Sequence, residues 1–136
     1  MTYGPVVSPA MPKVVGPYSP AVRAGELLFV AGQVGLDPAT GSVPGGSFED
    51  EARQALVNLR TVVEAAGAGL ERVVKTTVFL ASAEDFEAMN RLFAEFFPTA
   101  PPARSPVIVG LPRGFRFGID AVAYLGHGRQ RIVQRP

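Results

Sequence analysis

The sequence predicts an α+β domain, or a mixed α/β one, in which two helices pack on one β-sheet. Three observations support this prediction. Two segments carry apolar residues at helical spacing, several runs are rich in β-branched residues, and the length of 136 residues suits one domain. The predicted order is strand, helix, strand, helix, strand, strand, with an extra N-terminal strand as an option.

We expect a single domain over residues 1–136. The first part, residues 1–13, holds three prolines and no hydrophobic period, so it is predicted to be an irregular lead-in. The last part, residues 126–136, also lacks a period and is predicted to be a mobile tail.

The first predicted strand covers residues 27–33, where LLFVAGQ has a β-type apolar centre. A loop over 36–46 follows, because Asp-Pro, Thr-Gly and Pro-Gly-Gly are turn signals. The first helix begins at Ser47, a capping residue followed by acidic residues in the first turn. Gly67 and Gly69 end it. Its apolar positions recur at helical spacing: Ala52, Ala55, Leu56, Leu59, Val62, Val63 and Ala66.

The second half repeats this alternation. Residues 73–80, VVKTTVFL, are predicted to form a strand. Ser82 caps a second helix, which ends before the prolines at 98, 101 and 102. Two strands are expected after it, a short one over 107–111 and a longer one over 115–125. The apolar stripe of the second helix consists of Phe86, Met89, Phe93, Phe96 and Phe97.

One face of the predicted sheet has no helix to cover it, because two helices of this length cover only one face. In the last strand that face includes Val122 and Tyr124 beside Asp120. It is too apolar to be left fully wet. We therefore expect a subunit interface there.

The composition excludes several kinds of site. The chain has no cysteine, which excludes disulfides, thiolate nucleophiles and cysteine-based zinc sites. Its single histidine, His127, excludes a site with two imidazoles and is interpreted as a solvated tail residue. A net charge of +1 gives no support to nucleic-acid or membrane-surface binding. No window approaches the ~20 apolar residues of a membrane span, and no secretory signal is recognisable, so we expect a cytoplasmic protein.

Arg104 is a candidate receptor for a carboxylate. It lies in PPARSP, where prolines on both sides restrict the backbone and would hold the side chain in a defined direction. A fixed guanidinium binds a carboxylate through two parallel charge-assisted hydrogen bonds. The alternative is an arginine in a surface turn.

Three further residues have both a functional and a structural interpretation. Tyr18 follows a rigid Gly-Pro and offers either a wall to a small ligand or a packing ring. Asn90, on the second helix, bonds either a ligand or a loop backbone. Asp120 shares a face with Gly118; it is either an acid or base of raised pKa or a partner of Arg113 or Arg116.

Eight segments, found in order over residues 16–123, together resemble the RidA family, also called the YjgF family of reactive intermediate/imine deaminases. They are GPYSPA at 16–21, LLFVAGQVGLDPATG at 27–41, EARQALVNLRTVVEAAG at 51–67, VVKTTVFL at 73–80, DFEAMNRLFAEFF at 85–97, PPARSPV at 101–107, LP at 111–112 and IDAVA at 119–123.

The resemblance implies a chorismate-mutase-like α+β fold. It also implies a homotrimer whose sheets form a central barrel with the helices outside and with ligand clefts between subunits. The implied activity is hydrolysis of reactive enamine and imine acids, such as 2-aminoacrylate and 2-iminopropanoate, to 2-oxo acids and ammonia. No metal or organic cofactor is implied.

The resemblance also assigns residues. Arg104 matches the arginine that grips the substrate carboxylate, Tyr18 the tyrosine lining the cleft, and Asn90 the asparagine near its wall. Ala31 stands where active members often have serine, with Gly32 beside it, so a hydroxyl is gone although the backbone remains available. Pro106 stands near a position that is often cysteine or threonine, and the segment up to residue 111 is one residue shorter than usual.

The largest departure is Gly118, which stands where active deaminases usually have a glutamate that positions water or handles its proton. Asp120 matches the second acidic position and is the remaining catalytic candidate beside Arg104. Since imines hydrolyse readily, three outcomes stay open: a weak deaminase, a deaminase for another substrate with extra room at Gly118, or a non-catalytic trimer that binds small carboxylates.

An endoribonuclease is the least favoured function, because the chain lacks a paired acid and base suited to RNA cleavage. The arginines that form a basic patch in that hypothesis are more often a solvated surface. They are Arg113, Arg116, Arg129, Arg131 and Arg135.

Overall fold

The computed structural model describes residues 2–127. Within that range the chain forms six strands and two α-helices, with 3₁₀ turns at Leu70–Arg72, Ala83–Asp85 and Pro112–Gly114. The elements in chain order are β1 (Tyr3–Val6), β2 (Ala21–Ala24), β3 (Leu27–Val34), α1 (Phe48–Ala65), β4 (Val73–Leu80), α2 (Phe86–Phe96), β5 (Ala103–Ile108) and β6 (Phe117–Tyr124). The predicted α+β class with two helices and one mixed sheet is confirmed.

All six strands lie in one sheet, in the order β1-β2-β3-β6-β4-β5. Every neighbouring pair is antiparallel except β4 and β5, which are parallel and are joined through α2. Parallel neighbours require such a crossover. The sheet therefore ends in two edge strands, β1 and β5.

The helix α1 begins and ends where the sequence predicts. The side-chain oxygen of Ser47 accepts a hydrogen bond from the backbone N–H of Asp50 at 3.0 Å. Gly67 follows the helix with φ +90°, a conformation that favours glycine. Six of the seven predicted apolar positions are buried, and the seventh, Ala66, packs partly against the core.

The buried face of the sheet and the two helices share one apolar core. In β6 the buried side chains are Phe117, Ile119, Ala121 and Ala123, which alternate along the strand. Phe117 packs edge-on against Phe48 of α1, with ring centroids 5.9 Å apart.

The opposite face of the sheet carries exposed apolar side chains, as the sequence predicts. Phe29 is 45% exposed and Leu27 is 40% exposed, and Val122 pairs with Phe29 across β3 and β6. None of the described helices is long and apolar enough to cross a membrane.

The prediction of an irregular lead-in over residues 1–13 is partly wrong. The strand β1 lies within it and pairs with β2, with Tyr3 opposite Ala24, and Met11 is buried. Strand pairing depends on partners elsewhere in the chain, and a proline such as Pro5 is tolerated at a sheet edge. Of the predicted tail, only residues 126–127 are among the described residues.

The predicted strand over 107–111 is displaced. The strand β5 begins at Ala103 and ends at Ile108, so it includes the Pro-flanked arginine that the sequence suggested was in a loop. The last predicted strand is two residues too long at its start and one at its end, since β6 covers Phe117–Tyr124. In the second helix, Ser82 caps a 3₁₀ turn before α2, and Leu92 is buried while Phe86 is partly exposed.

Pro106 occupies the outer edge of the sheet. The N–H of Val109 donates to the carbonyl of Leu80 at 2.9 Å, so alternation turns the N–H groups of Ser105 and Val107 towards β4. The backbone of Pro106 therefore faces away from the sheet. The missing N–H of this proline costs no hydrogen bond within the chain.

Candidate functional site

Arg104 leaves the edge strand β5 on the side of helix α2. It pairs in register with Thr76, which is fully buried on the helix-covered face. Its guanidinium reaches Asn90, Met89 and Phe93, which lie on one face of α2 at helical spacing. The strand thus directs the Arg104 side chain towards α2, and residues of α2 contact its guanidinium.

The guanidinium is held by one nitrogen and by its flat face. Nη1 donates to the side-chain oxygen of Asn90 at 2.8 Å and contacts the sulfur of Met89 at 3.3 Å. The central carbon lies 4.9 Å from the ring centroid of Phe93 and 5.7 Å from that of Phe86, within cation–π range. Among residues 2–127, no carboxylate forms an ion pair with Arg104.

Arg104 and Asn90 line an open cavity of about 560 Å³, which we call the arginine cavity. Its other walls are apolar or proline side chains, including Phe93, Phe97 and Pro102. An unpaired cation against apolar walls is an arrangement that binds a small organic anion. The structure therefore brings together two of the predicted site residues.

Tyr18 and Gly32 lie in a different cavity of about 310 Å³, which we call the tyrosine cavity. The tyrosine is 51% exposed and its N–H donates to the carbonyl of Gly16 at 2.9 Å. Gly32 lies in a bulge of β3, where the pairing with β6 shifts between Val30 and Gln33. Bulges free backbone groups and are frequent beside functional sites.

The backbone of Ala31 is already occupied. Its N–H donates to the carbonyl of Pro20 at 3.0 Å, and its carbonyl accepts from the side-chain amide of Gln33 at 3.0 Å. Of Ala31 and Gly32, it is therefore Gly32 whose backbone is exposed to the tyrosine cavity.

Asp120 and Arg104 point to opposite faces of the sheet. Asp120 pairs with Thr77 on the face without helices, and its carboxylate accepts the Thr77 N–H at 3.1 Å. The pairing with Arg113 or Arg116 that the sequence left open is not found. Arg116 binds the buried Glu51, and Arg113 lies over the ring of Phe115. A single copy of the described chain does not place both catalytic candidates around one ligand.

Gly118 lies on the same face of the sheet as Asp120 and is buried. This differs from the expectation that the missing side chain leaves extra room for a ligand. A Cβ at this position would lie 3.7 Å from the ring of Phe79, 3.8 Å from the side chain of Leu111 and 3.6 Å from the carbonyl of Gln33. These are ordinary contacts, so neighbouring side chains already cover most of the space.

The other predicted site residues lie outside the two cavities. Pro106 is exposed at the sheet edge, and His127 is exposed beside another surface depression. Arg129, Arg131 and Arg135 lie outside the described residues. The described chain contains no cluster of three or more metal-ligating side chains.

Sequence reasoning missed three contributors to the site. Met89 and Phe93 were interpreted only as core residues of the second helix, yet both also contact Arg104. Their spacing with Asn90 on one helix face was the available signal. Asn58 lines the tyrosine cavity and donates to the carbonyls of Val34 and Leu36 at 2.9 and 2.8 Å; an asparagine among the apolar positions of a helix was its signal.

Comparison with known proteins identifies the family. A family model described as "Endoribonuclease L-PSP" matches residues 8–125. The chain is 46% identical to the RutC family protein PH0854 of Pyrococcus horikoshii over 114 residues, covering 83% of this chain and 90% of the relative. It is 41% identical to the 2-iminobutanoate/2-iminopropanoate deaminase of Homo sapiens over 116 residues, covering 85% of each.

A solved structure supports the same assignment. The crystal structure of E. coli TdcF with bound serine superposes with a TM-score of 0.85 at 33% identity, covering 89% of this chain and 98% of that one. The fold and the arginine-centred site define an α+β domain of the RidA type. The chain belongs to the endoribonuclease L-PSP family, to which the RidA and YjgF proteins also belong.

Proposed function

We propose that this protein hydrolyses reactive 2-imino and 2-enamino acids to 2-oxo acids and ammonia. The observation that carries the proposal is the guanidinium of Arg104, which is held by Asn90 and Phe93 at the wall of a cavity. A positioned arginine binds a carboxylate with charge-assisted hydrogen bonds. A 2-imino acid has its carboxylate directly beside the carbon that water attacks.

The reaction needs water and no other reactant. The oxygen of water forms a bond to C2 of the imine while a proton goes to the nitrogen, which gives a carbinolamine. The C2–N bond then breaks as the hydroxyl proton is transferred to the nitrogen, so that ammonia leaves and the 2-oxo acid remains. Arg104 holds the carboxylate through both steps, so its contribution is orientation.

We assign the complete site to a cleft between copies of the chain in a homotrimer. Arg104 and Asn90 line one cavity, while Tyr18 and Gly32 line another. In the cleft, one copy would therefore supply the arginine cavity and a neighbouring copy the tyrosine cavity. Asp120 is our candidate for handling the water proton. It would have to come from a different copy than Arg104, because the two side chains point to opposite faces of the sheet.

The relatives agree with this chemistry. The human and mouse relatives at 41% and 43% identity are deaminases of 2-iminobutanoate and 2-iminopropanoate. TdcF was crystallised with serine, a small molecule with a carboxylate on its second carbon. These properties belong to those proteins, and we extend them to this chain on the strength of Arg104.

The test is an imine-decay assay with a matched arginine control. An amino-acid oxidase generates 2-imino acids, and their decay is followed with wild type, Arg104→Ala and Arg91→Ala. Arg91 follows Asn90 on α2, but it is exposed and pairs with Glu49. Wild type and Arg91→Ala should accelerate decay, while Arg104→Ala loses about 10- to 100-fold in kcat/KM, the value of a charged hydrogen bond. Equal activity of both variants contradicts the proposal.

A second function is favoured by one observation. Gly118 provides no side chain, and Asp120 already binds the Thr77 N–H. The same arginine site would then bind small carboxylates without hydrolysis. Loss of a general acid or base typically costs about 10² to 10⁴ in rate. Folded wild-type protein that binds 2-oxo acids but accelerates no imine would establish this function instead.

A further inference from the structure

The two halves of the Arg104 guanidinium are in different environments. Nη1 carries two N–H groups, and it has two neighbours that accept hydrogen bonds, the side-chain oxygen of Asn90 at 2.8 Å and the sulfur of Met89 at 3.3 Å. Nε and Nη2 have no hydrogen-bond partner among residues 2–127. One complete edge of the guanidinium, formed by the parallel Nε–H and Nη2–H groups, is therefore available to a ligand.

The orientation of Asn90 follows from the chemistry of its neighbour. A guanidinium has donors only, so the atom of Asn90 that faces Nη1 must be the carbonyl oxygen. The amide nitrogen of Asn90 then points away from Arg104. Asn90 itself lines the arginine cavity and is only half-buried.

The plane of the guanidinium is also determined. Phe93 is 5% exposed, and its ring centroid lies 4.9 Å from the central carbon of the guanidinium, with the Phe86 ring 5.7 Å away. The packed Phe93 ring limits tilting of the guanidinium, and Asn90 limits its rotation within the plane. Together these contacts fix which edge is presented.

We infer that Asn90 is a positioning residue. By engaging Nη1, it directs the Nε/Nη2 edge of Arg104 to the cavity, where that edge takes both oxygens of a substrate carboxylate side-on. This rests on the proposed function only in that Arg104 is the carboxylate receptor. Asn90 acts through Arg104 and need not touch the ligand.

Binding of 2-oxobutanoate tests the inference without requiring turnover. Titration calorimetry is carried out on wild type, Asn90→Leu, Asn90→Asp and, as control, Glu87→Gln, an exposed acid on the same helix. We expect Asn90→Leu to weaken binding about tenfold. Glu87→Gln should bind as wild type does. Circular dichroism and thermal melts show that each variant is folded.

A spectroscopic readout separates positioning from a merely structural role. In protein labelled with ¹⁵N-arginine, the Arg104 Nε–H signal should shift when 2-oxobutanoate binds, and Arg104→Lys identifies the signal. In Asn90→Leu the free signal should broaden because Nη1 is released. In Asn90→Asp it should stay sharp, since the oxygen acceptor is kept, although the added negative charge weakens binding.

The inference is overturned by wild-type affinity in Asn90→Leu, or by 2-oxobutanoate binding without a shift of the Nε–H signal. Failure of wild type to bind 2-oxobutanoate at millimolar concentration also overturns it. The imine-decay assay gives a separate answer. If wild type deaminates and Asn90→Leu binds 2-oxobutanoate as tightly as wild type does, the proposed function holds and the positioning role fails. If 2-oxobutanoate binds side-on but no imine is deaminated, the positioning role holds and the proposed function fails.

Discussion

The residues around Arg104 could be recognised as site candidates from the sequence, but their positions relative to one another could not be predicted from it. Arg104, Asn90 and Tyr18 were recognisable as candidates from prolines, polarity and family resemblance. That Asn90 contacts Arg104 depends on the crossover through α2 that joins β4 to β5, whereas Tyr18 lies before β2 and lines another cavity. No local pattern contains that information, because the contact forms only once α2, which carries Asn90, lies beside β5, which carries Arg104.

Two glycines of the chain make a matched pair for a stability measurement. A Cβ at Gly118 would make only ordinary contacts, whereas a Cβ at Gly35 would collide with the backbone carbonyl of Glu51. We expect Gly118→Ala to leave stability unchanged or to raise it by about 0.4–1 kcal/mol through the unfolded state. Gly35→Ala should lower it by about 1–3 kcal/mol.

Urea unfolding of both variants beside wild type measures these differences. A Gly118→Ala variant as unstable as Gly35→Ala would mean that Phe79 and Leu111 leave less space than the structure shows.

At the scale of elements, one buried carboxylate of α1 bonds the residue that precedes β6. Glu51 is 3% exposed, and it accepts hydrogen bonds from the backbone N–H of Arg116 at 2.7 Å and from its Nε at 3.0 Å. Glu49, two residues earlier, forms an exposed pair with Arg91 at 3.1 Å. The two acids therefore lie in the same first turn of α1 but differ in burial.

We expect Glu51→Gln to lower the free energy of unfolding by about 1.5–3 kcal/mol, because it weakens two charge-assisted bonds to a buried group. Glu49→Gln should change it by less than about 1 kcal/mol, as is usual for exposed ion pairs. Denaturant unfolding at neutral pH compares the two. Equal changes in the free energy of unfolding would show that burial does not make the Glu51–Arg116 pair more stabilising than the exposed Glu49–Arg91 pair.

The elements that the sequence predicts well are those with local signals. The helix α1 has a serine cap, an acidic first turn, a regular apolar stripe and a glycine end, and the structure follows all four. The strand β1 was anticipated only as an optional N-terminal strand without bounds, and β5 was displaced, because the stability of both comes from pairing with β2 and β4. Proline in both strands masks the β pattern, and only an edge position makes it acceptable.

For the whole molecule, the uncovered sheet face is the surface on which the proposed homotrimer depends. Phe29 lies near the centre of that face and is 45% exposed. We expect wild type to sediment at three times the chain mass of 14.4 kDa, and Phe29→Asp to sediment as a monomer, because an unpaired charge in an apolar interface is costly. Analytical ultracentrifugation measures both.

The control is Val7→Asp, a residue that is 72% exposed and lies outside the strands. It should keep the wild-type mass. A wild-type monomer at micromolar concentration would exclude the trimer and, with it, the cleft between copies. A monomeric Phe29→Asp that retains full deaminase activity would place the complete site within one chain.

Pro106 has a consequence for association through the outer edge of β5. A bare sheet edge offers its N–H and carbonyl groups to any further strand, and repeated addition at such edges leads to fibres. At the outer edge of β5 the proline offers a carbonyl and no N–H, so an added strand would lose a hydrogen bond in the middle of the pairing. The proline thus favours a particle of finite size over an endless polymer.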